Sequence, residues 1–137
     1  MVHVIMGLKG SGKTKQLVDL VRAAVDKDSG DVVVIEKDNA LTYDIPYQAR
    51  LVDASAYPIG SYEFIKGFLC GIHSGNYDIT HVFVDNFLKM VDDRRNESLV
   101  SFVNWLDAFS AKENIEYFLS VSMAVEDCPE GLKRYIG

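Results

Sequence analysis

The stretch Gly7-Leu8-Lys9-Gly10-Ser11-Gly12-Lys13-Thr14 decides how this chain is read. It fits G-x-x-x-x-G-K-[ST], a pattern whose residue types follow from holding phosphate. Glycines let the backbone curl so that successive N–H groups point inward as an anion nest. A helix starting immediately afterwards adds its free N–H groups and the positive end of its dipole. In such a loop Lys13 sits over the β- and γ-phosphates, and the Thr14 hydroxyl ligates Mg²⁺. The expected cradle is therefore Gly7, Leu8, Lys9, Gly10, Ser11, Gly12, Lys13 and Thr14, with Lys15 just beyond. Lys9 brings a second positive charge into it.

The flanks supply the context this pattern needs. Before it, Val2-His3-Val4-Ile5-Met6 reads as a central parallel strand buried on both faces. After it, Leu17, Leu20, Val21, Ala24 and Val25 recur at helical spacing, and Gly30 is placed to end that helix as its C′ residue. Val32 to Ile35 is a second buried strand, and Leu51-Val52 a short third one lying outward of it. Ser61 caps a helix carrying Tyr62, Ile65, Leu69 and Ile72, which Gly75-Asn76 ends. His81 to Asp85 is a strand finishing in a carboxylate, and Asn96 caps a helix bearing Leu99, Phe102, Val103, Leu106 and Phe109. Ile115 to Val121 is the last strand, followed by a polar tail from Glu126. Strands alternating with helices predict a single α/β domain over residues 1–137, a three-layer αβα sandwich on a mainly parallel sheet of about five strands. From Glu36 to Arg50 the chain is polar and irregular around Pro46, long for a plain connection, and reads as a functional loop or a short hairpin.

Composition bounds the partners. With 137 residues, 48% of them hydrophobic, the chain is long enough to bury a real core. A net charge of −6 argues against nucleic acid as the main partner, which needs a basic face. Cys70 and Cys128 form no C-x-x-C pair and suit a reducing compartment. The sequence shows no signal peptide and no membrane-length apolar run, so a soluble cytoplasmic protein is expected.

Phosphate binding alone does no chemistry, and the remaining candidates lie at the ends of later strands. Asp85 is placed to hold Mg²⁺ beside Thr14, because ligands of an open parallel sheet gather at the carboxyl ends of its strands. Asn86 follows it and is an amide, which orients water but accepts no proton at neutral pH. Glu126 and Asp127 after the last strand are substitute bases, although an acidic turn is more often simply solvated. Asp38 stands equally as a turn residue or a rim residue. Ser120 and Ser122 are in reach of a γ-phosphate but are more often bland. His3, His73 and His81 share no metal-ligand spacing.

The loop at Gly7 to Thr14, the short strand at Leu51-Val52, the aspartate-ended strand Val82 to Asp85 and the strand ending near Ser122 together resemble a minimal P-loop NTPase. The order of elements is most similar to the core of the bacterial-type thymidine kinases, near the RecA-like class, and to small bacterial ATP-binding proteins. The resemblance spans roughly residues 1–123 and rests chiefly on the loop. It implies a P-loop NTPase fold, ATP or another nucleoside triphosphate, Mg²⁺, and a Walker B role for Asp85. In that family a catalytic carboxylate follows the Walker B aspartate, where this chain has Asn86. Its members also carry a Cys-rich zinc lobe and a lasso over the nucleoside, and this chain has two cysteines rather than four.

The expected function is Mg²⁺-dependent binding of a nucleoside triphosphate with slow or partner-stimulated hydrolysis, through Lys13, Asp85 and Asn86. The absence of an Asn-Lys-x-Asp element tilts base choice to adenine. One alternative is a nucleoside or other small-molecule phosphotransferase whose acceptor site is shaped by residues 37–50 and 126–137. Another is a nucleotide-gated interaction module in which Trp105 or the tail meets a partner. If a second copy or a protein partner completes the site, Arg94 and Arg95 are the candidate arginines.

Overall fold

Within residues 1–37 and 44–136, which the computed structural model describes, each apolar run forms its strand. These are β1 (Val2–Gly7), β2 (Asp31–Glu36), β3 (Arg50–Asp53), β4 (Ile79–Val84) and β5 (Glu116–Ser122), with helices α1 (Lys13–Lys27), α2 (Tyr62–Ser74) and α3 (Asn96–Glu113) between them. The five strands make one sheet in the order β1-β5-β4-β2-β3, and every pairing is parallel. Parallel neighbours require crossovers, and the helices supply them on both faces. Ile5, Val32, Val34 and Phe83 pack on Leu17, Val18, Val21 and Ala24 of α1. The alternate positions Val4, Val33, Ile35, Val82, Val84 and Leu119 pack on Ile65 and Leu69 of α2 and on Leu99, Phe102, Val103 and Leu106 of α3. An α/β arrangement compatible with a three-layer sandwich results, with its core split into two clusters by the sheet.

The strand order positions the site. The first strand lies beside the last, and β5 separates β1 from β4, so the chain following β1, β4 and β5 emerges along one edge.

Local stops differ from expectation at two places. Helix α1 ends on Asp28, whose backbone takes the left-handed conformation (φ 50°), and not at Gly30. Gly30 is needed for close approach instead: a Cβ there would lie 2.6 Å from the Asp78 carbonyl oxygen. At the start of α3 the capping position is Arg95, without a side-chain cap, and Asn96 is already helical. Asp93 organises that start from outside the helix, accepting from the Arg95 amide (3.0 Å) and the Ser98 hydroxyl (2.6 Å). The polar tail is anchored by Leu132 and Tyr135, buried in a 3₁₀ turn against the core. Ile136 makes a parallel bridge to Val4, covering the outer edge of β1 that would otherwise invite strand addition. Asp38 and Tyr43 lie outside the described residues. Among the described residues no helix is long and apolar enough to cross a membrane.

A stack of rings lies across the sheet on the α1 face. His3 stacks on Phe118 at 4.6 Å between centroids, Phe118 on Phe83 at 4.5 Å, and His81 lies flat 6.4 Å from each phenylalanine. Burial lowers the His81 pKa below its ordinary 6.5, and Lys27 adds to the shift while Glu116 opposes it. Below pH 6.5 the unfolded chain takes up a proton that folded His81 resists, so stability falls as pH drops through that window. His81→Phe, which keeps a ring in the stack, is expected to flatten the fall. Urea midpoints of both proteins on either side of the window measure this, and an unchanged pH dependence would assign it to other groups.

Candidate functional site

The Gly7–Thr14 loop leaves the carboxyl end of β1 and enters α1 directly. Gly10 (φ 84°) and Gly12 (φ 91°) both occupy left-handed backbone that side chains resist. A Cβ on Gly7 would collide with the Ser11 side chain. The Leu8 carbonyl gathers the loop, accepting from the Ser11 amide at 3.0 Å and from Lys13 Nζ at 3.1 Å. Lys13 is folded inward and 9% exposed, whereas Leu8, Lys9, Gly10, Ser11, Thr14 and Lys15 are exposed. Gly12 offers α1 no side-chain cap, and the first turn carries no acid. The end of that helix is thus open to an anion rather than neutralised from within.

Asp85 follows β4 and is 7% exposed. Its Oδ1 accepts from the buried Ser120 hydroxyl at 2.9 Å, and that same hydroxyl oxygen accepts from the Asn86 amide at 2.8 Å. Ser122 Oγ donates to Asn86 Oδ1 at 3.1 Å. Asn86 itself is left-handed (φ 50°), which turns the chain sharply into a 3₁₀ turn over Phe87–Met90. The two serines therefore lock the Asp85–Asn86 corner from the intervening strand, a role their sequence positions did not announce. Ser120→Ala leaves a buried carboxylate oxygen and a backbone N–H without their partner. A loss of about 1–3 kcal/mol in unfolding free energy is expected, measured by urea denaturation, and a change under about 0.3 kcal/mol would deny the serine this role.

Sequence reading missed Glu36. It ends β2, is 2% exposed, and falls on the α1 face because Val32 and Val34 do. The Ile35–Val84 pairing puts Glu36 and Asp85 at the next register position on adjacent strands, and the Asp85 amide bonds to the Ile35 carbonyl at 2.9 Å. The available signal was a carboxylate closing an apolar run at a core-facing position.

The structure sorts the other candidates. Glu126 lines a cavity of about 310 Å³ together with Gly7, Ser11 and Lys13, and Asp127 does not. Lys15 points along its own helix, 3.6 Å from Asp19. Arg95 is committed to Asp93 through two bonds, of 3.0 and 2.9 Å, which hold the Asp93 carboxyl well below the usual range with help from Ser98. Arg94 instead lines a second cavity with Lys9, Asn86 and Ser122. The histidines stand apart, His3 on Glu116 (2.6 Å), His73 on Glu113 (2.8 Å) and His81 on Thr80 (2.8 Å). Among the described residues both cysteines are free, and no group of three or more His, Cys, Asp or Glu side chains is able to hold a metal. Thr14 is exposed in the first turn of α1, and Asp85 and Glu36 lie buried past or at the ends of adjacent strands; such hydroxyl and carboxylate oxygens are hard donors of the kind Mg²⁺ takes. Neither the family models nor the curated proteins compared with this chain gave a match.

Proposed function

We propose that this chain is a P-loop domain that binds a nucleoside triphosphate, ATP in the first instance, with Mg²⁺, and hydrolyses it slowly. One observation carries the reading. A strand runs into a loop with two left-handed glycines, then into an uncapped helix whose first residue is an inward-folded lysine. Glycines at those positions weaken a fold that needs no ligand, and serve one that must bring backbone N–H groups up to phosphate.

The roles follow from chemistry. Loop amides and Lys13 hold the β- and γ-phosphates. Thr14, Asp85 and Glu36 would hold the ion, which would supply charge neutralisation at the phosphates. Asn86 is held by Ser122 and removes no proton, so water attacks without a base at that position and turnover is slow. The test is calorimetric titration of the whole chain with ATP, with Mg²⁺ and with EDTA. Binding at least tenfold tighter with Mg²⁺ is expected, and no detectable binding in either condition would overturn the proposal.

A further inference from the structure

The chain leaves β5 across the end of β1. The Met123 amide donates to the Gly7 carbonyl at 3.1 Å, and Ile136 returns along the edge of β1 that faces away from β5. Ala124 to Asp127 therefore turn over the carboxyl end of β1, on the side of the loop remote from Asp85 and Asn86, which follow β4 beyond β5. Here a cavity of about 310 Å³ joins Ser11 and Lys13 of the loop to Val125 and Glu126 of the turn. Two apolar side chains in its lining face solvent, Leu8 at 60% and Val125 at 55% exposure. Among the described residues no hydrogen bond or ion pair holds the Glu126 carboxylate.

Resting on the nucleotide reading of the loop, we propose that this cavity receives the nucleoside end of the triphosphate and that Glu126 selects its sugar, accepting hydrogen bonds from the ribose hydroxyls. On that reading the γ end of the triphosphate lies toward Asp85 and Asn86, so the nucleoside end lies on the opposite side, at the turn. A carboxylate accepts hydrogen bonds and donates none, and phosphate oxygens share that limit. Glu126 and a phosphate thus offer each other no bond, whereas sugar hydroxyls donate directly to the carboxylate. Bonds to an ionised acceptor are roughly twice as strong as neutral ones, and a 2′-deoxy sugar brings one donor fewer. The flat face of a base covers Leu8 and Val125, removing from water two apolar side chains that the chain alone leaves exposed. The carboxylate therefore sets the choice of sugar, and the apolar pair contributes affinity without reading the base.

The experiment titrates the whole chain by calorimetry with Mg²⁺–ATP and with Mg²⁺–2′-deoxy-ATP, in wild type, Glu126→Ala, Glu126→Gln and Asp127→Ala. Wild type is expected to bind ATP at least about tenfold more tightly than 2′-deoxy-ATP, the worth of one charge-assisted hydrogen bond. Glu126→Ala should bring the two affinities within about twofold of each other. Glu126→Gln, whose amide oxygen still accepts, should keep part of the preference. Asp127→Ala should leave the preference intact, because Asp127 does not line the cavity. Both side chains are exposed, so none of these changes removes core packing. Equal affinity for the two nucleotides in wild type, or a preference that survives Glu126→Ala, overturns the sugar-selecting role and leaves the nucleotide reading standing. So does turnover lost in Glu126→Gln with both affinities unchanged, which would make Glu126 the base for water. Absence of binding by either nucleotide removes both.

Discussion

Lys13→Ala is expected to lower ATP turnover by about 10²–10³-fold and to weaken ATP binding, while costing stability only about 0.5–1.5 kcal/mol. The small stability term follows from what Lys13 does in the ligand-free fold. Its ammonium group donates to one neutral carbonyl, Leu8 O, at 3.1 Å, and the side chain is otherwise packed into the loop it closes. The large functional term follows from what replaces that carbonyl. Phosphate oxygens carry full charge, and a charge-assisted bond is roughly twice as strong as a neutral one. Lys13→Arg should not restore activity, because a planar fork does not fit where a compact ammonium turns between the loop and phosphate. Steady-state turnover and calorimetric affinity check the prediction, with urea midpoints verifying the fold. Equal turnover in wild type and Lys13→Ala would remove Lys13 from the chemistry.

The fold was legible because its signals are local and redundant. Each of β1, β2, β4 and β5 is a near-continuous apolar run, as burial on both faces demands, and each helix carries one apolar stripe. What escaped depends on distance in the chain. Gly30 is a glycine because Thr80 and Asp78, some fifty residues on, come up against it, and not because a helix stops there. Ser120 and Ser122 are structural because Asp85 and Asn86 arrive beside them, a pairing that only the strand order reveals. Glu36 comes to stand beside Asp85 only because β2 lies next to β4. The tail looked polar because Glu126, Asp127, Glu130, Lys133 and Arg134 outnumber the two residues, Leu132 and Tyr135, that anchor it. The loop's motif points to a ligand class from eight consecutive residues, whereas the cavity at Arg94 draws on three separate segments and has no motif.

Phe102→Ala is the change expected to damage the fold most, by about 3–5 kcal/mol, lowering the melting temperature by roughly 10–15 °C. Phe102 is 1% exposed on α3 and lies 5.0 Å from the Phe87 ring, nearly parallel at 19°, with Tyr62 at 5.5 Å and Trp105 at 6.0 Å. Truncation removes the centre of this cluster, and its neighbours sit on three different elements that cannot close the gap together. Phe87 is the residue immediately after Asn86 and opens the 3₁₀ turn that follows the site. Its packing on Phe102 is therefore a hydrophobic support for the corner that the serines hold by hydrogen bonds. The site should feel the cavity: Mg²⁺–ATP affinity measured well below the melting transition is expected to fall severalfold in Phe102→Ala. Phe102→Leu, which refills most of the space, should cost about 1–1.5 kcal/mol and leave affinity near that of wild type. A variant that loses stability as expected but binds Mg²⁺–ATP unchanged would show that Ser120 and Ser122 fix the Asp85–Asn86 corner without help from the core.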